Sequence, residues 1–314
     1  MSPTPHLLIP LAASHAEGCQ QALQGLALPQ LDRLLARLSP AGLDAGSEAD
    51  PTPPHERALA RHLDLAGNAP PWAAWQRLQG GAEDALTQAW AFITPCQWQA
   101  GANHVLLGDP ALLRLTEEDS RALLAILAPW FAEDGITLIY DQPTRWLACG
   151  APFQGLVTAS LERVQGRDVS PWLPDKQQAR ALHRLHSEMQ MLLYTHPFND
   201  ARAARGLPPV NAFWVHGAGA LAQAPASTDA PDMPTTLLEA ALREDWRAWA
   251  EAWRALDAGP VAHLADHVAR GGGARLTLCG ERSAMAWHTA PRGLGQRIQS
   301  LFRPQRFTSV REQL

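Results

Sequence analysis

The order of apolar and polar positions predicts an α/β chain. Five short apolar runs read as buried strands: "HLLIPL" from His6, "QAWAFI" ending at Ile93, "ITLIYD" ending at Asp141, "NAFWVHG" from Asn211, and "ARLTLCG" from Ala274. Helical periodicities separate them. Thr116 opens "TEEDSRALLAILAPWFAEDG", where a hydroxyl cap, early acids, an apolar row at Leu123, Leu124, Leu127 and Phe131, and a closing Gly135 define one helix. Asp175 to Tyr194 forms a second, with Leu182, Leu185, Met189 and Leu192 on one face. A third runs through "PTTLLEAALREDWRAWAEAWRAL", in which Leu238, Leu242, Trp246, Trp249 and Trp253 recur at helical spacing. That stripe reads as core, with a tryptophan-lined ligand groove as the alternative.

Strands alternating with helices predict a layered α/β domain, and their uneven spacing predicts an inserted or appended second unit. Stretches rich in Pro, Gly and Ala at Ser39 to Pro54 and Ala218 to Pro234, with Gly271 to Gly273, read as loops or linkers. The tail from Phe302, with Arg303, Arg306 and Arg311, reads as frayed surface.

Composition narrows the partners. With 314 residues and 46% hydrophobic content, the chain can bury one large core or two compact ones. A formal charge of -5, from 26 Lys+Arg against 31 Asp+Glu, gives no footprint for nucleic acid or an anionic membrane, so neither is expected as a partner. The opening residues lack a basic start, and their apolar run is interrupted by Pro10. No stretch approaches the roughly 20 apolar residues of a spanning helix, and a soluble cytoplasmic protein is expected. Cys19, Cys96, Cys149 and Cys279 lie far apart without a C-x-x-C pair, which predicts buried free thiols.

The densest candidate chemistry lies in "THPFNDARAARGLPPVNAFWVHGAG", Thr195 to Gly219. Pro197 stops the preceding helix, and one further turn follows before Gly206 and Pro208. Arg202 and Arg205 fall three apart on that turn, close to His196 and Asn199. Guanidiniums beside His and Asn suit a phosphate or carboxylate ligand. The alternative is that Asn199 and Asn211 brace the turn while the arginines face solvent.

"DPTPPHERALARHL" predicts a helix capped by Thr52 with Pro53 first, placing His55 and Glu56 in the opening turn as a capping pair or a general base. "HLADH" sets His263 and His267 at metal-ligand spacing beside Asp266, without a third ligand or an H-E-x-x-H acid. His183 and His186 show a similar spacing. No G-x-S-x-G elbow, P-loop or G-x-G-x-x-G is present.

In order along the chain, "LPQLDRLLARL" is similar to the "TPNLDxLA" helix of the archaeal-type cofactor-independent phosphoglycerate mutases, and "HLDLAGNAPPWAA" to their "LGYDP…GPLEAA". "AWAFITPCQW" resembles the strand opening their inserted domain, and "LTEEDSRALLAIL" their "EEA" helix. "YDQPTRWLACG" is similar to "GVSYRHLLV", matching Arg145, and "RDVSPWLP" falls where "PPHDI" stands. The segment from Thr195 is similar to "HPVNxxRxxxGxPANxxxxxGxG", matching His196, Pro197, Asn199, Arg202, Gly206, Pro209, Asn211, Gly217 and Gly219. The chain resembles more closely still the RpfE-type regulatory proteins of bacteria, relatives of those mutases. Residues 5 to 220 carry the resemblance, and the final third follows by strand order alone.

The resemblance implies an alkaline-phosphatase-like layered core, 1-80 with 211-314, carrying an inserted α+β domain, 81-210. It also implies two metal ions held by Asp and His, and a Ser or Thr that accepts the phosphoryl group. The chain departs from that pattern. "HLLIPLAASHAEG" stands where the family has an acid-rich "DGxGD", and "PTPPHE" replaces "PGSD", leaving Thr52 and His55 as remnant candidates. "LTLCGERSAMAWH" stands where the family has "ADHSTP…H", leaving Glu281 and His288 beside His263 and His267 as sparse metal candidates.

Three functions are therefore weighed. One is a degenerate, non-catalytic regulatory protein without a cofactor, binding a small phosphorylated or carboxylated metabolite or a protein partner through Arg145, His196, Asn199, Arg202 and Asn211. The second is an active phosphomutase or phosphatase using a divalent metal held by Asp32, His55, His263, Asp266, His267 and Glu281. The third is a pure interaction module using the Trp-rich helix 235-256 or the basic tail.

Overall fold

The computed structural model describes residues 4–65, 69–225, 229–290 and 305–314. The chain forms a mixed α/β structure of two compact units, Met1–Asp64 with Ser227–Leu314, and Leu65–Ala226. Among the described residues no helix is long and apolar enough to cross a membrane.

The first unit is built on β1 (His6–Ile9), β2 (Ser39–Asp44), β9 (Arg275–Cys279) and β10 (Ala284–His288), in the sheet order β1-β9-β10-β2. β1 runs parallel to β9, with Leu7 opposite Leu276, and the other pairings are antiparallel. Its helices are α1 (Glu17–Gln24), α2 (Pro29–Leu35), α3 (Pro54–His62), α9 (Thr236–Leu242), α10 (Trp246–Leu256) and α11 (Ala262–Ala269).

The inserted unit contains β3 (Trp90–Cys96), β6 (Thr137–Gln142), β7 (Arg145–Cys149) and β8 (Ala212–Gly219) in an antiparallel sheet ordered β6-β7-β3-β8, with a hairpin of β4 (Trp98–Ala100) and β5 (Val105–Leu107). Its helices are α4 (Trp72–Gln79), α5 (Glu117–Glu133), α6 (Leu161–Val164), α7 (Arg180–Tyr194) and α8 (Pro197–Ala204). The Thr116 hydroxyl caps α5 by accepting the Asp119 N–H at 3.1 Å, and Phe131, Trp146, Phe153 and Phe213 close the core.

All five predicted strands form, as β1, β3, β6, β8 and β9. The division between units falls at 64/65 and 226/227, where the resemblance implies 80/81 and 210/211. The reason is β8: it pairs with β3 along Ile93–Val215 and Thr94–Trp214, and α4 packs on both strands, so the flanking segments belong to the inserted unit. β2 replaces the first half of the predicted 39–54 loop. Its Pro40 to Leu43 are exposed on an edge strand, so no alternating signature marks them, and an edge tolerates proline.

The Trp-rich segment is two helices. The chain breaks at Glu244, which takes a φ of 54, and the Asp245 carboxylate caps α10 by accepting the Ala248 N–H at 2.9 Å. Trp249 and Trp253 have 0% exposure, so the stripe is core. α10 continues into α11 through a π-helical turn at Asp257–Val261, because Pro260 has no N–H to extend the regular ladder. There the buried Asp257 carboxylate accepts the N–H groups of Gln30 and Leu31 at 3.2 and 2.8 Å, satisfying the first turn of α2.

Two further expectations change. Helix α3 starts at Pro54, with Pro53 extended in the cap position, so Thr52 precedes the cap. The tail is not frayed at its end: Phe307, Val310 and Leu314 join the first unit's core, and the Phe307 N–H donates to Asp32 at 2.8 Å. Phe302 and Arg303 lie outside the described residues. The cysteines are free thiols, Cys149 half-buried and the rest buried. Burial pushes the Cys19 thiol up to about 11 and those of Cys96 and Cys279 higher.

Candidate functional site

The 195–219 segment folds as an internal brace of the inserted unit. His196 caps α8, its Nδ1 accepting the Phe198 N–H at 3.1 Å, and Pro197 takes the first helical position. Asn199 exchanges hydrogen bonds with the Val210 backbone in both directions, at 2.8 and 3.0 Å, and donates to the Leu193 carbonyl. Asn211 does the same with the Trp98 backbone, at 2.7 and 2.9 Å. Gly206 ends α8 at a φ of 69, while the Leu207 N–H reaches back to the Arg202 carbonyl. Gly217, at a φ of 57, packs where a Cβ would stand 3.0 Å from Trp72 and 3.1 Å from Phe92.

The arginines meet protein groups. Arg202 has 0% exposure; it donates to the carbonyls of Pro208 and Leu113, and its other terminal nitrogen lies 3.6 Å from Asp119. Arg205 reaches the same Asp119 at 2.9 Å from solvent. Arg145 pairs with Asp141 at 2.7 Å and lies over the Phe92 ring at 4.5 Å. Arg145 and Arg202 share no partner: the first is paired with Asp141, and the second lies beside Asp119. His183 and His186 each donate Nε2–H to a backbone carbonyl, of Pro174 and Phe213.

In the first unit, open α/β sheets direct attention to the carboxyl ends of the parallel strands. Past the end of β1 there stand Ala12 and Ala13, both buried, and the indoles of α10 close over this segment: Trp249 donates to the Leu11 carbonyl at 2.9 Å and Trp253 to that of Ala12 at 3.1 Å. Beyond β9 stands Glu281. It accepts the Ser14 hydroxyl at 2.7 Å and the His15 N–H at 3.1 Å, with the His15 imidazole at 3.4 Å. Burial alone would raise this carboxyl; the Ser14 and His15 contacts outweigh it and hold the group below the usual carboxylate range.

The remaining metal candidates lie at the other end of the strands. His263 and His267 on α11 line a cavity with Arg275, the first residue of β9, and His288 stands opposite Arg275 in the ladder. Glu281 lies past the far end of β9, which at about 3.3 Å per residue spans roughly 16 Å. The four therefore cannot share an ion. Asp32 is engaged by Phe307 and Asp266 by Arg33, while the His267 Nε2–H donates to the Gly273 carbonyl at 3.1 Å. Thr52 and His55 are buried at the start of α3, and neither lines this cavity.

That amino-end cavity, about 1000 Å³, is lined by His6, His62, His263, His267, Arg270 and Arg275, together with Asp229 and Asp232. His62 Nε2 lies 2.9 Å from the Asp229 carbonyl, which can only accept. With His62 neutral, its Nδ1 then accepts from His6 Nδ1–H at 3.3 Å, and His6 Nε2 accepts the Thr277 hydroxyl at 3.0 Å. Burial, then the charges of His62 and Arg275, lower the His6 pKa to about 4. His6, His62 and the turn that carries Arg270 and Arg275 lie on three separate segments, so no local spacing announces them together. The available signal was that His6 and Arg275 open two of the predicted strands.

No protein-family model matches the chain, and no curated protein matches it. Solved structures similar to it include two of low identity. The cofactor-independent phosphoglycerate mutase from Thermoplasma acidophilum DSM 1728 matches with 12% identity and a TM-score of 0.36, over 91% of this chain and 90% of that one. The PH0037 protein from Pyrococcus horikoshii matches with 13% identity and a TM-score of 0.45, over 94% of this chain and 92% of that one.

Proposed function

We propose that this chain is a catalytically silent regulatory protein of the RpfE type, on a phosphoglycerate mutase-like scaffold, and that it acts by binding. One observation carries the reading: past the carboxyl end of the β1–β9 pair Ala12 and Ala13 are buried under two indoles, and the Glu281 carboxylate is engaged by Ser14 and His15. Two divalent cations need several hard anionic oxygens converging on them. The residues at this end do not fit that demand, so no phosphoryl-transfer step is derived through a metal here. A cytoplasmic role as a binder of a small phosphorylated or carboxylated metabolite, or of a protein, is consistent with the missing donor set.

Metal analysis of the purified chain, equilibrated with manganese and zinc and then desalted, tests the reading. Retention well below one ion per chain is expected. About two tightly held ions per chain, the load of a two-metal site, would overturn it in favour of an active phosphomutase or phosphatase.

A further inference from the structure

The first unit carries a concavity at the amino end of the β1–β9 pair, opposite the end where silence is argued. We propose that it binds a small phosphate monoester whose carbon skeleton carries hydroxyl or amino groups, with Arg270 and Arg275 holding the phosphoryl oxygens. The proposal rests on reading the chain as a binding protein and adds the site and the ligand class.

The two arginines flank one turn. Arg270 ends α11 and Arg275 opens β9. Both are exposed, and neither pairs with a carboxylate among the described residues. The turn between them is held in advance: the Gly272 N–H donates to the His267 carbonyl at 3.0 Å, and the His267 imidazole donates to the Gly273 carbonyl at 3.1 Å. The turn sets the two backbone positions from which the guanidiniums reach, and each can donate its planar fork of N–H groups to phosphoryl oxygens.

The opposite lining selects the rest of the ligand. Asp232 lines the cavity exposed, with no cation paired to it among the described residues, and Asp229 lies beside it. Those carboxylates oppose a bare anion and accept from hydroxyl or ammonium groups. A cavity of about 1000 Å³ holds a metabolite of several carbons, not an ion alone. His263, exposed on the α11 wall, adds a further polar contact.

Calorimetric titration of the full chain at constant ionic strength tests the site with three probes: glycerol 3-phosphate, inorganic phosphate and glycerol. The monoester is expected to bind more tightly than inorganic phosphate, and glycerol not at all. The R270Q/R275Q double variant should weaken monoester binding by at least about tenfold while keeping the wild-type melting temperature. The single variants R270Q and R275Q, each weakening it severalfold, give the same reading should the double variant fail to fold. Equal binding by wild type and variants, or no binding of either phosphate at millimolar concentration, would overturn the site. That failure would leave the metal content of the chain, and with it the argument for catalytic silence, untouched.

Discussion

The Trp253 indole donates to the Ala12 carbonyl at 3.1 Å, tying α10 to the turn that follows β1. Trp249, one turn earlier, holds Leu11, whose φ of 46 turns the chain away from the strand. The place where an open α/β sheet offers its backbone to a ligand is thereby filled by side chains of the same unit.

Replacing Trp253 by alanine removes a fully buried indole and leaves a carbonyl unpaired, a loss of about 3–5 kcal/mol. Trp253→Phe keeps most of the volume and loses the hydrogen bond, at about 1–3 kcal/mol. Denaturant unfolding monitored by fluorescence measures both. A Trp249→Ala or Trp253→Ala protein that melts like wild type and loses only a binding partner would restore the stripe as an interaction surface.

Arg202 is expected to behave as a structural residue. Arg202→Met strips the Pro208 and Leu113 carbonyls of their donor and leaves Asp119 with Arg205 alone. Breaking such a buried charge network costs about 3–5 kcal/mol. Arg205→Ala, at the solvent end of the same network, should cost less than about 1 kcal/mol. Thermal melts of the two variants compare them directly, and similar losses would contradict the assignment.

What the sequence makes legible follows from how local each signal is. The β1, β3, β6, β8 and β9 runs are continuous apolar stretches, and Thr116 with its following acids marks α5 by chemistry confined to one turn. β2 is invisible because its exposed "PAGL" carries no burial pattern, and the α9–α10 break is masked by helix formers on both sides of Glu244. The "HPFNDARAARG" motif is specific in sequence, yet its meaning depends on Val210, Leu113 and Asp119, residues up to 89 positions away. Long-range pairing turned an apparent anion site into a brace. The same pairing brings His6 and His62 to the turn that carries Arg270 and Arg275, three segments that no local spacing connects.

His186 makes stability depend on pH. Packed beside Trp98 and Phe213 and donating to the Phe213 carbonyl, it has its pKa lowered to about 4, by burial first and by neighbouring His183 second. The unfolded chain takes up a proton at the ordinary value near 6.5, where the folded chain does not. Stability is therefore full above about pH 6.5 and falls toward pH 4 by roughly 1.4 kcal/mol per unit for this group. Urea midpoints between pH 7 and 4.5 measure the slope, and His186→Phe should lessen it by this group's share while His6, lowered to about 4 as well, keeps its own.

Glu281 is expected to matter for folding without holding an ion. Glu281→Ala leaves the buried Ser14 hydroxyl without its acceptor and frees the His15 N–H, a loss of about 1–3 kcal/mol. Metal content should be the same in the variant and in wild type. A fall in bound metal on removing this one carboxylate would make it a ligand.

The most direct test of catalytic silence is turnover of 3-phosphoglycerate and of a chromogenic phosphate monoester by the purified chain, with manganese or zinc added and with a chelator. The account predicts no rate above the protein-free control in either condition. A rate that appears with metal, disappears with the chelator and returns on adding metal back would contradict it.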